Sequence, residues 1–471
     1  MKRLPDQYDV IVLGGGPAGH KAAVQAAKVG RKVLMIEREA RVGGECVHRG
    51  TIPSKTLRES AVHYMTVRKR TPHLLPATGA RQILVQSLMQ RLDTVEQAHE
   101  RYLENQLVRN QVEMCQGRAR FESDHDIEFV DAHGTKRIVS AEHVIIATGS
   151  RPRSPEDIQI DHDRILDSDS ILSMIYLPES LIVMGGGVIA SEFATIFQAL
   201  GVQVTIVDRG ERPLGFLDPE IADRFVRSFE RDGGRFVGRA QYKSVVTDPL
   251  AGAVVTLSDG RVLRADRVLV ALGRTAAVHG LNLQAAGLTV NERGFIPVDG
   301  NCRTKVEHIY AIGDVIGPPA LATSAMDQGR RAVRHALGLE TSHGEQTLPA
   351  GIYTIPEISS VGLTEAEAIK LNGRAVVGRA RFEEIARAHI KGETDGLLKI
   401  VCDAEGRKIL GAHVIGENAT ELVHVAQMAI VGGLDVDAFV DHIFNFPTMA
   451  EGYRVAALDV ASQRSRLRAA V

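Results

Sequence analysis

The chain has 471 residues, with 56 Lys and Arg against 58 Asp and Glu and a formal net charge of −2. Such a near balance argues against nucleic acid or an anionic membrane as a partner, so we expect small-molecule ligands. No run of about 18 apolar residues occurs, which argues against a membrane-spanning helix. The length favours about two to four domains.

The cysteines are few and scattered. Cys46, Cys115, Cys302 and Cys402 show none of the paired spacings of zinc sites or of secreted disulfide-rich domains. We therefore expect a reducing, cytosolic environment. The histidines show no ligand spacing either, so the sequence predicts no metal site.

The first chemical signal is a glycine fingerprint near the N-terminus. A buried-strand pattern at residues 8–13 is followed by Gly14, Gly16 and Gly19, a helix-like segment and a second strand that ends at Glu37. Glycines at this spacing let the backbone approach a pyrophosphate at a helix N-terminus. Glu37, 23 residues after Gly14, is placed to accept hydrogen bonds from an adenosine ribose. The segment therefore predicts a dinucleotide site.

The same pattern recurs in the second third of the chain. Gly185 and Gly187 follow a buried strand, Ala190 takes the third fingerprint position, and the next strand ends at Asp208, again 23 residues after the first glycine. Aspartate favours a free 2'-hydroxyl on the ribose, whereas Arg209 beside it can pair with a 2'-phosphate. We therefore expect a second dinucleotide site that accepts both kinds of nucleotide.

Each copy is followed by a hairpin and a returning strand. The first returning strand closes at Gly149, and the second at Gly273 and Arg274. A third short motif, YAIGD, places Gly313 and Asp314 after a further strand. A strand-end turn is the simplest alternative interpretation of this last motif.

Taken together, these motifs resemble a known family. The paired fingerprints, GGECVHRGTIPSK at 43–55, ATGSRP at 147–152, ALGR at 271–274 and YAIGD at 310–314 resemble the pyridine nucleotide disulfide oxidoreductases, which include lipoamide dehydrogenase and glutathione reductase. The resemblance covers essentially the whole chain. It implies an α/β fold with two Rossmann-like domains, for FAD and NAD(P), and a C-terminal α+β dimerisation domain that forms a homodimer or larger homo-oligomer.

The resemblance also implies domain boundaries. We expect an FAD domain in two segments, 1–152 and 275–345, with an NAD(P) domain at 153–274 inserted between them and the dimerisation domain at 346–471.

Further site residues follow from the resemblance. It implies that Asp314 binds the ribityl chain of FAD and that a helix beginning near Ala322 faces the flavin, where its positive end favours negative charge. It also implies an ion pair between Lys55 and Glu192 beside the reactive nitrogen of the flavin. Ordinary helix-surface charges are the alternative for this pair.

Two features of the family's disulfide chemistry are missing. Where the family has a second redox cysteine five positions after Cys46, this chain has Thr51, which cannot form a disulfide. Where the family has a proton-donating histidine, this chain has Phe446. Thr448 and Glu451 remain nearby, but their spacing also predicts a capping box for the last helix. For Cys46 itself we favour a small buried residue over a redox-sensitive thiol.

Both losses resemble one branch of the family, the soluble pyridine nucleotide transhydrogenases. The segments GTIPSKTLRE, GIYTIPEISSVG, ARAHIKGETDGLLKI and FNFPTMAEGYRVAAL carry this likeness. The branch commonly has an aromatic hydroxyl where Phe446 stands, which is a departure. The resemblance implies hydride transfer between NADPH and NAD+ through FAD in a ping-pong order. The alternatives are a diaphorase or quinone reductase, and a non-catalytic flavoprotein that senses redox state.

Overall fold

A computed structural model describes residues 7–70, 80–249, 252–341 and 347–469. The described residues form two compact units. The first is drawn from the segments 1–56, 83–154 and 273–344, and the second from 57–82, 155–272 and 345–471. In the described part of the chain, no helix is both long and apolar enough to cross a bilayer.

The described residues contain strands with these bounds: β1 Gln7–Leu13, β2 Val33–Glu37, β3 Glu113–Phe121, β4 Asp126–Asp131, β5 Lys136–Ile146, β6 Ser150–Pro152, β7 Ile165–Leu166, β8 Ser180–Met184, β9 Gln203–Val207, β10 Arg235–Val237, β11 Tyr242–Asp248, β12 Gly252–Leu257, β13 Val262–Ala265, β14 Arg267–Val270, β15 Arg274–Ala276, β16 Ile309–Ala311, β17 Ala350–Ile352, β18 Ile358–Gly362, β19 Val376–Arg381, β20 Leu397–Cys402 and β21 Ile409–Ile415.

The α-helices have these bounds: α1 Pro17–Lys28, α2 Gly44–His48, α3 Thr51–Arg70, α4 Ala80–Arg109, α5 Val188–Ala199, α6 Pro219–Arg231, α7 Ala322–Ala336, α8 Glu365–Asn372, α9 Ala386–Lys391, α10 Ala419–Val431, α11 Ala438–Asp441 and α12 Glu451–Ala469. The sequence predicts two helical stretches between Lys55 and Val112. The first of them, α3, begins four residues earlier, at Thr51, and the predicted loop between them includes 71–79, which lie outside the described residues.

The first unit is built around a parallel sheet. β1 lies between β2 and β5, with β16 beyond β5 and β3 beyond β2. β4 joins β3 to the first half of β5 by antiparallel pairing. Because β1, β2, β5 and β16 are parallel, their carboxyl ends lie at one edge of the sheet, where ligands bind in such folds.

Two helices of the first unit approach each other closely. α1 and α7 meet where Gly329 lies against the carbonyl oxygen of Ala18, and a side chain at Gly329 would collide with that oxygen. The α1 residues Ala22, Ala23 and Ala26 are completely buried. Small residues therefore allow both helices to lie on the sheet with their N-termini near its carboxyl edge.

The second unit contains a parallel sheet with the strand order β10-β9-β8-β14-β7, and a three-stranded antiparallel sheet, β11-β12-β13. α5 covers the parallel sheet through Phe193 and Phe197, which are buried against Leu181 and Val183 of β8. This arrangement repeats the strand, glycine turn, helix and strand order of the first unit.

A further antiparallel sheet of the second unit has the order β17-β18-β21-β20-β19. α10 and α12 pack on it, and the completely buried Tyr453 of α12 donates to the carbonyl of Leu422 at 2.6 Å. The predicted capping box of α12 is only half formed. The Thr448 amide donates to the Glu451 carboxylate at 3.3 Å, but the Thr448 hydroxyl donates to the Asn445 carbonyl instead of capping the helix.

A buried charge cluster lies within the second unit. Lys399 of β20 is 2% exposed and donates to both carboxylate oxygens of Asp218 at 2.9 Å. Its ammonium nitrogen also lies 2.7 Å from Glu365 and 3.1 Å from Glu220. Burial alone would lower the pKa of Lys399, but the bonds to these carboxylates outweigh it and raise that pKa. The cluster connects the first turns of α6 and α8 to the sheet.

Candidate functional site

The first glycine turn joins β1 to α1. Gly14 has a φ of +107°, and its amide donates to the carbonyl of Ile36 at 2.9 Å. A side chain at Gly14 would collide with the carbonyl oxygen of Ala147, and one at Gly19 with the carbonyl oxygen of Gly14. The fold therefore requires glycine at both positions.

Gly16 is different. Its φ of −70° and ψ of −177° suit any residue, and a Cβ built there would meet only the Cα of Gly44, at 3.9 Å. The fold therefore gives no reason for glycine at this position. Glycine at this position leaves the space at the N-terminus of α1 open.

The second turn, between β8 and α5, repeats this geometry. Gly185 has a φ of +109° and donates to the carbonyl of Val207 at 2.8 Å. Gly187 has a φ of −79° and a ψ of −176°, and a Cβ there would have nothing within 4 Å. Ala190 is completely buried at the third position. The two fingerprints thus form equivalent turns, with the second glycine of each free of packing constraints.

The acidic residue of each copy lies against the middle glycine of its turn. Glu37 accepts from the amide of Gly15 at 2.6 Å and from that of Glu39 at 2.9 Å. A Cβ built at Gly186 would lie 2.5 Å from the carboxylate of Asp208. Both carboxylates are therefore held at the turn, at the end of the second strand.

Arg209 follows Asp208 in a loop that is fixed by main-chain bonds. The amide of Asp208 donates to Val237 at 3.0 Å, and that of Arg239 donates to Gly210 at 2.8 Å. The loop therefore presents one acidic and one basic side chain side by side, after β9.

Asp314 and Arg274, predicted separately, are linked through Ser150. The Ser150 hydroxyl donates to Asp314 at 2.6 Å and accepts from Nε of Arg274 at 2.7 Å. A second nitrogen of Arg274 lies 3.3 Å from the Glu45 carboxylate. Sequence reasoning assigned no role to Ser150 and Glu45, because their partners lie far away in the sequence. Together the four residues form a polar chain at the carboxyl edge of the first sheet.

The two predicted closing glycines and the glycine of the YAIGD motif all occupy left-handed backbone. Gly149, Gly273 and Gly313 have φ values of +71°, +105° and +73°. The amide of Gly313 donates to the buried side chain of Gln328 at 2.8 Å, which ties the Asp314 segment to α7. α7 begins at Ala322, as predicted, and its first turn contains no acidic residue. The positive end of the helix is therefore not neutralised from within its own first turn.

Cys46 lies on α2 and is a free, half-buried thiol. Burial raises its pKa, and a hydrogen bond with Thr51 opposes that rise. Two residues on, Nε2 of His48 donates to the Val42 carbonyl at 2.8 Å, and its Nδ1 lies 3.7 Å from the Glu96 carboxylate. Sequence reasoning assigned no partner to His48, because Glu96 lies on a different helix, α4, and no local spacing links the two residues.

Lys55 belongs to the first unit and Glu192 to the second. Lys55 donates to the Ser54 hydroxyl at 3.3 Å. Glu192, 4% exposed on α5, accepts from the amide of Tyr353 at 2.9 Å. Their predicted ion pair stays a prediction.

The segment that holds Glu192 is itself fixed by a buried arginine. Arg58 of α3 donates to the Thr354 carbonyl at 3.1 Å and forms an ion pair with Glu357 at 3.1 Å. Sequence reasoning missed Arg58, since an arginine on a helix usually lies in solvent. The result is a rigid backbone around the Glu192 carboxylate.

Near the C-terminus, Phe446 is 75% exposed and Ile443 is 94% exposed. Both of these large apolar side chains lie on the loop between α11 and α12.

Comparison with known proteins places these features in one family. Residues 8–329 match the family described as pyridine nucleotide-disulphide oxidoreductase, and residues 348–457 match its dimerisation domain. A soluble pyridine nucleotide transhydrogenase from Mycobacterium bovis is 41% identical over 462 residues, which cover 98% of each chain. One of the same name from Marinobacter nauticus is 43% identical over 459 residues, covering 96% of this chain and 98% of the relative.

Among solved structures, LpdA from Mycobacterium tuberculosis superposes with a TM-score of 0.87 at 30% identity, covering 96% of this chain and 99% of the other. The predicted fold class is thereby confirmed. The chain belongs to the pyridine nucleotide-disulphide oxidoreductase family and is an FAD-dependent oxidoreductase that acts on nicotinamide nucleotides.

Proposed function

We propose that this protein is a transhydrogenase that transfers hydride from NADPH to NAD+, yielding NADP+ and NADH, and that it works in the reverse direction too. The main support is the pair of equivalent turns, in which Gly16 and Gly187 are glycines that the fold itself does not require. With two dinucleotide sites, one chain can hold a resident FAD in one site and bind nicotinamide nucleotides in turn in the other. The relatives at 41% and 43% identity carry the corresponding name.

The first site fits FAD. Gly16 leaves room for the pyrophosphate, Glu37 is placed for the adenosine ribose, and Asp314, held by Ser150, is placed for the ribityl chain. The N-terminus of α7 at Ala322 favours negative charge on a bound flavin. When bound, FAD supplies the capacity to accept and release hydride.

The second site binds the nicotinamide nucleotides in turn, which gives a ping-pong order. Gly187 admits the pyrophosphate, Asp208 accepts from a free ribose hydroxyl, and Arg209 pairs with a 2'-phosphate. Glu192 and Lys55 orient the nicotinamide for transfer. Tyr353 and Arg58 act as positioning residues, because they fix the backbone around Glu192.

No disulfide relay takes part in this proposal, because Thr51 stands where Cys46 would need a partner. The exposed loop with Phe446 and the match to a dimerisation domain support a homodimer. The relatives are named as soluble, and we propose the same, in the cytosol, for this chain.

Anaerobic mixing tests the function. NADPH should bleach the flavin absorbance of the purified holoenzyme, and NAD+ added afterwards should restore it while NADH forms. Gly187→Ala should retain its flavin, and dithionite should still reduce that flavin. NADPH should no longer bleach it, because the added methyl group occupies the space for the pyrophosphate. If a quinone restores the flavin absorbance and NAD+ does not, the protein is a quinone reductase and not a transhydrogenase. If NADPH bleaches Gly187→Ala as it bleaches the unmodified protein, the second turn is not part of the nucleotide site.

A further inference from the structure

A cluster of metal-binding side chains lies apart from both glycine turns. Asp124 and His125 stand in the connection from β3 to β4, and His308 immediately precedes β16. One ligand atom from each of the three lies within 4.8 Å of those of the other two. The cluster is near the start of β16, whereas Asp314 and the glycine turns follow the carboxyl ends of their strands.

Hydrogen bonds to carbonyl oxygens fix the tautomers of both histidines. Nδ1 of His125 donates to the Ala141 carbonyl at 2.8 Å, and Nε2 of His308 donates to the Asp124 carbonyl at 3.0 Å. A carbonyl oxygen cannot donate, so each of these nitrogens carries the hydrogen. Each ring in its neutral form therefore has one lone pair left, on Nε2 of His125 and on Nδ1 of His308.

This is the arrangement that metal-binding histidines use, with one ring nitrogen for the metal and the other held by a carbonyl. The two rings are stacked, with centroids 3.7 Å apart and planes 3° from parallel. Since lone pairs lie in the ring planes, the rings must tilt apart to share one ion, and the exposed His125 has room to do so.

We propose that Asp124, His125 and His308 form a binding site for a late first-row divalent transition metal such as Zn²⁺. Two imidazole nitrogens and one carboxylate are a ligand set suited to such ions, with water at the remaining position. The ion would join parts of the first unit that lie 184 residues apart in the sequence. We therefore infer a structural site that stabilises the folded unit, since an ion that binds only the folded state raises its melting temperature.

The test uses Zn²⁺ and tag-free holoenzyme. Calorimetric titration should show one bound Zn²⁺ per chain, and Zn²⁺ should raise the melting temperature. His125→Asn and His308→Gln are the matched variants, because each retains an amide nitrogen near the one that bonds to a carbonyl while removing the ligand nitrogen. Each should weaken Zn²⁺ binding at least about tenfold.

His133→Asn is the control, because His133 is an exposed histidine in the turn after β4 that lies outside the cluster. It should bind Zn²⁺ as the unmodified protein does. Equal Zn²⁺ affinity in all four proteins, or no binding to the unmodified one, would overturn the proposal. A Cu²⁺ complex offers a second measurement: its electron paramagnetic resonance spectrum should show coupling to two nitrogens, reduced to one in either variant.

Discussion

At the scale of single residues, Ser150 is the most informative side chain of the first site. Its hydroxyl is bonded at once to the Asp314 carboxylate and to the Arg274 guanidinium, so it fixes the distance between them. We expect Ser150→Ala to weaken FAD binding about tenfold, since a hydrogen bond to a charged group contributes about 1.5–3 kcal/mol. Flavin content after purification and titration of the apoprotein with FAD measure the effect.

The matched control is Ser140→Ala. Ser140 is on β5, whereas Ser150 begins β6, and the Ser140 hydroxyl also donates to a carboxylate, that of Asp126, at 2.5 Å. Ser140 lies in the first half of β5, away from the carboxyl end of the strand, so this variant should retain FAD. If both variants bind FAD with equal affinity, Ser150 is not part of the flavin site.

In the proposed function, nucleotide choice depends on another residue, Asp208. Its carboxylate repels a 2'-phosphate, whereas Arg209 attracts one. We expect Asp208→Asn to shift the ratio of kcat/KM for NADPH to that for NADH about tenfold toward NADPH. Steady-state rates with both nucleotides measure this ratio, and Asp259→Asn, which changes an exposed aspartate in the β12–β13 turn, serves as the control. An unchanged ratio would place Asp208 outside the nucleotide site.

The residues that the sequence predicted are those with a fixed local spacing. Gly14, Gly185 and Asp208 were found because a glycine turn and the acid after the next strand are encoded within 23 residues. Ser150 and Arg58 were missed because their partners lie 164 and 296 residues away. A serine on a strand or an arginine on a helix carries no signal until the fold brings its partner close.

At the scale of elements, the Lys399 cluster joins α6 and α8 to β20. Lys399→Met leaves the completely buried Asp218 carboxylate without its cation. We expect a loss of about 3–5 kcal/mol in the free energy of unfolding, since removing one partner of a buried pair strands the other charge. Urea unfolding followed by circular dichroism measures it, and Lys391→Met, which breaks a more exposed pair with Glu417, should cost about 1 kcal/mol or less.

The same cluster has a defined pH dependence. Burial alone would raise the pKa of Asp218, but the Lys399 ammonium outweighs it and lowers that pKa. The pair therefore stabilises the fold fully above the unfolded carboxyl pKa of about 3.9, and loses this effect as the pH falls through the lower folded value. The difference in stability between the unmodified protein and Lys399→Met should shrink below about pH 4. A constant difference across that range would contradict this account.

The starts and caps of the helices were predicted with uneven success. α7 begins at Ala322, as predicted, whereas α1 and α5 begin at Pro17 and Val188, three and two residues before the predicted helical segments. The predicted cap of α12 is half formed, because the Thr448 hydroxyl bonds to Asn445 and the helix starts only at Glu451. Local spacing alone could not decide whether this hydroxyl accepts from an amide of the helix or donates to the Asn445 carbonyl.

At the scale of the whole molecule, the proposed lack of a disulfide relay has a direct consequence. We expect no reduction of lipoamide or glutathione disulfide by the unmodified holoenzyme, although NADPH bleaches its flavin. Thr51 removes the partner of Cys46, and Phe446 removes a proton donor whose contribution is typically about 10²–10⁴-fold in rate. Turnover of either disulfide, followed by NADPH consumption, would contradict the proposal.

Restoring one function alone should fail. Thr51→Cys allows a disulfide with Cys46 to form, but without a proton donor an external disulfide should still turn over slowly. Thr51→Cys combined with Phe446→His should exceed both single variants. Flavin content and the dimeric state, measured for each variant, separate loss of chemistry from loss of structure.

The likeness of the two glycine turns also bears on how the protein could be inhibited selectively. The φ values of Gly14 and Gly185 differ by 2°, and those of Gly16 and Gly187 by 9°. An inhibitor built on adenosine diphosphate therefore meets nearly the same main chain in both turns. Selectivity must then come from the side chains at the end of each second strand. A 2'-phosphate on such a compound should direct it to the second turn, where Arg209 offers a cation beside Asp208. At the first turn the Glu37 carboxylate would repel it.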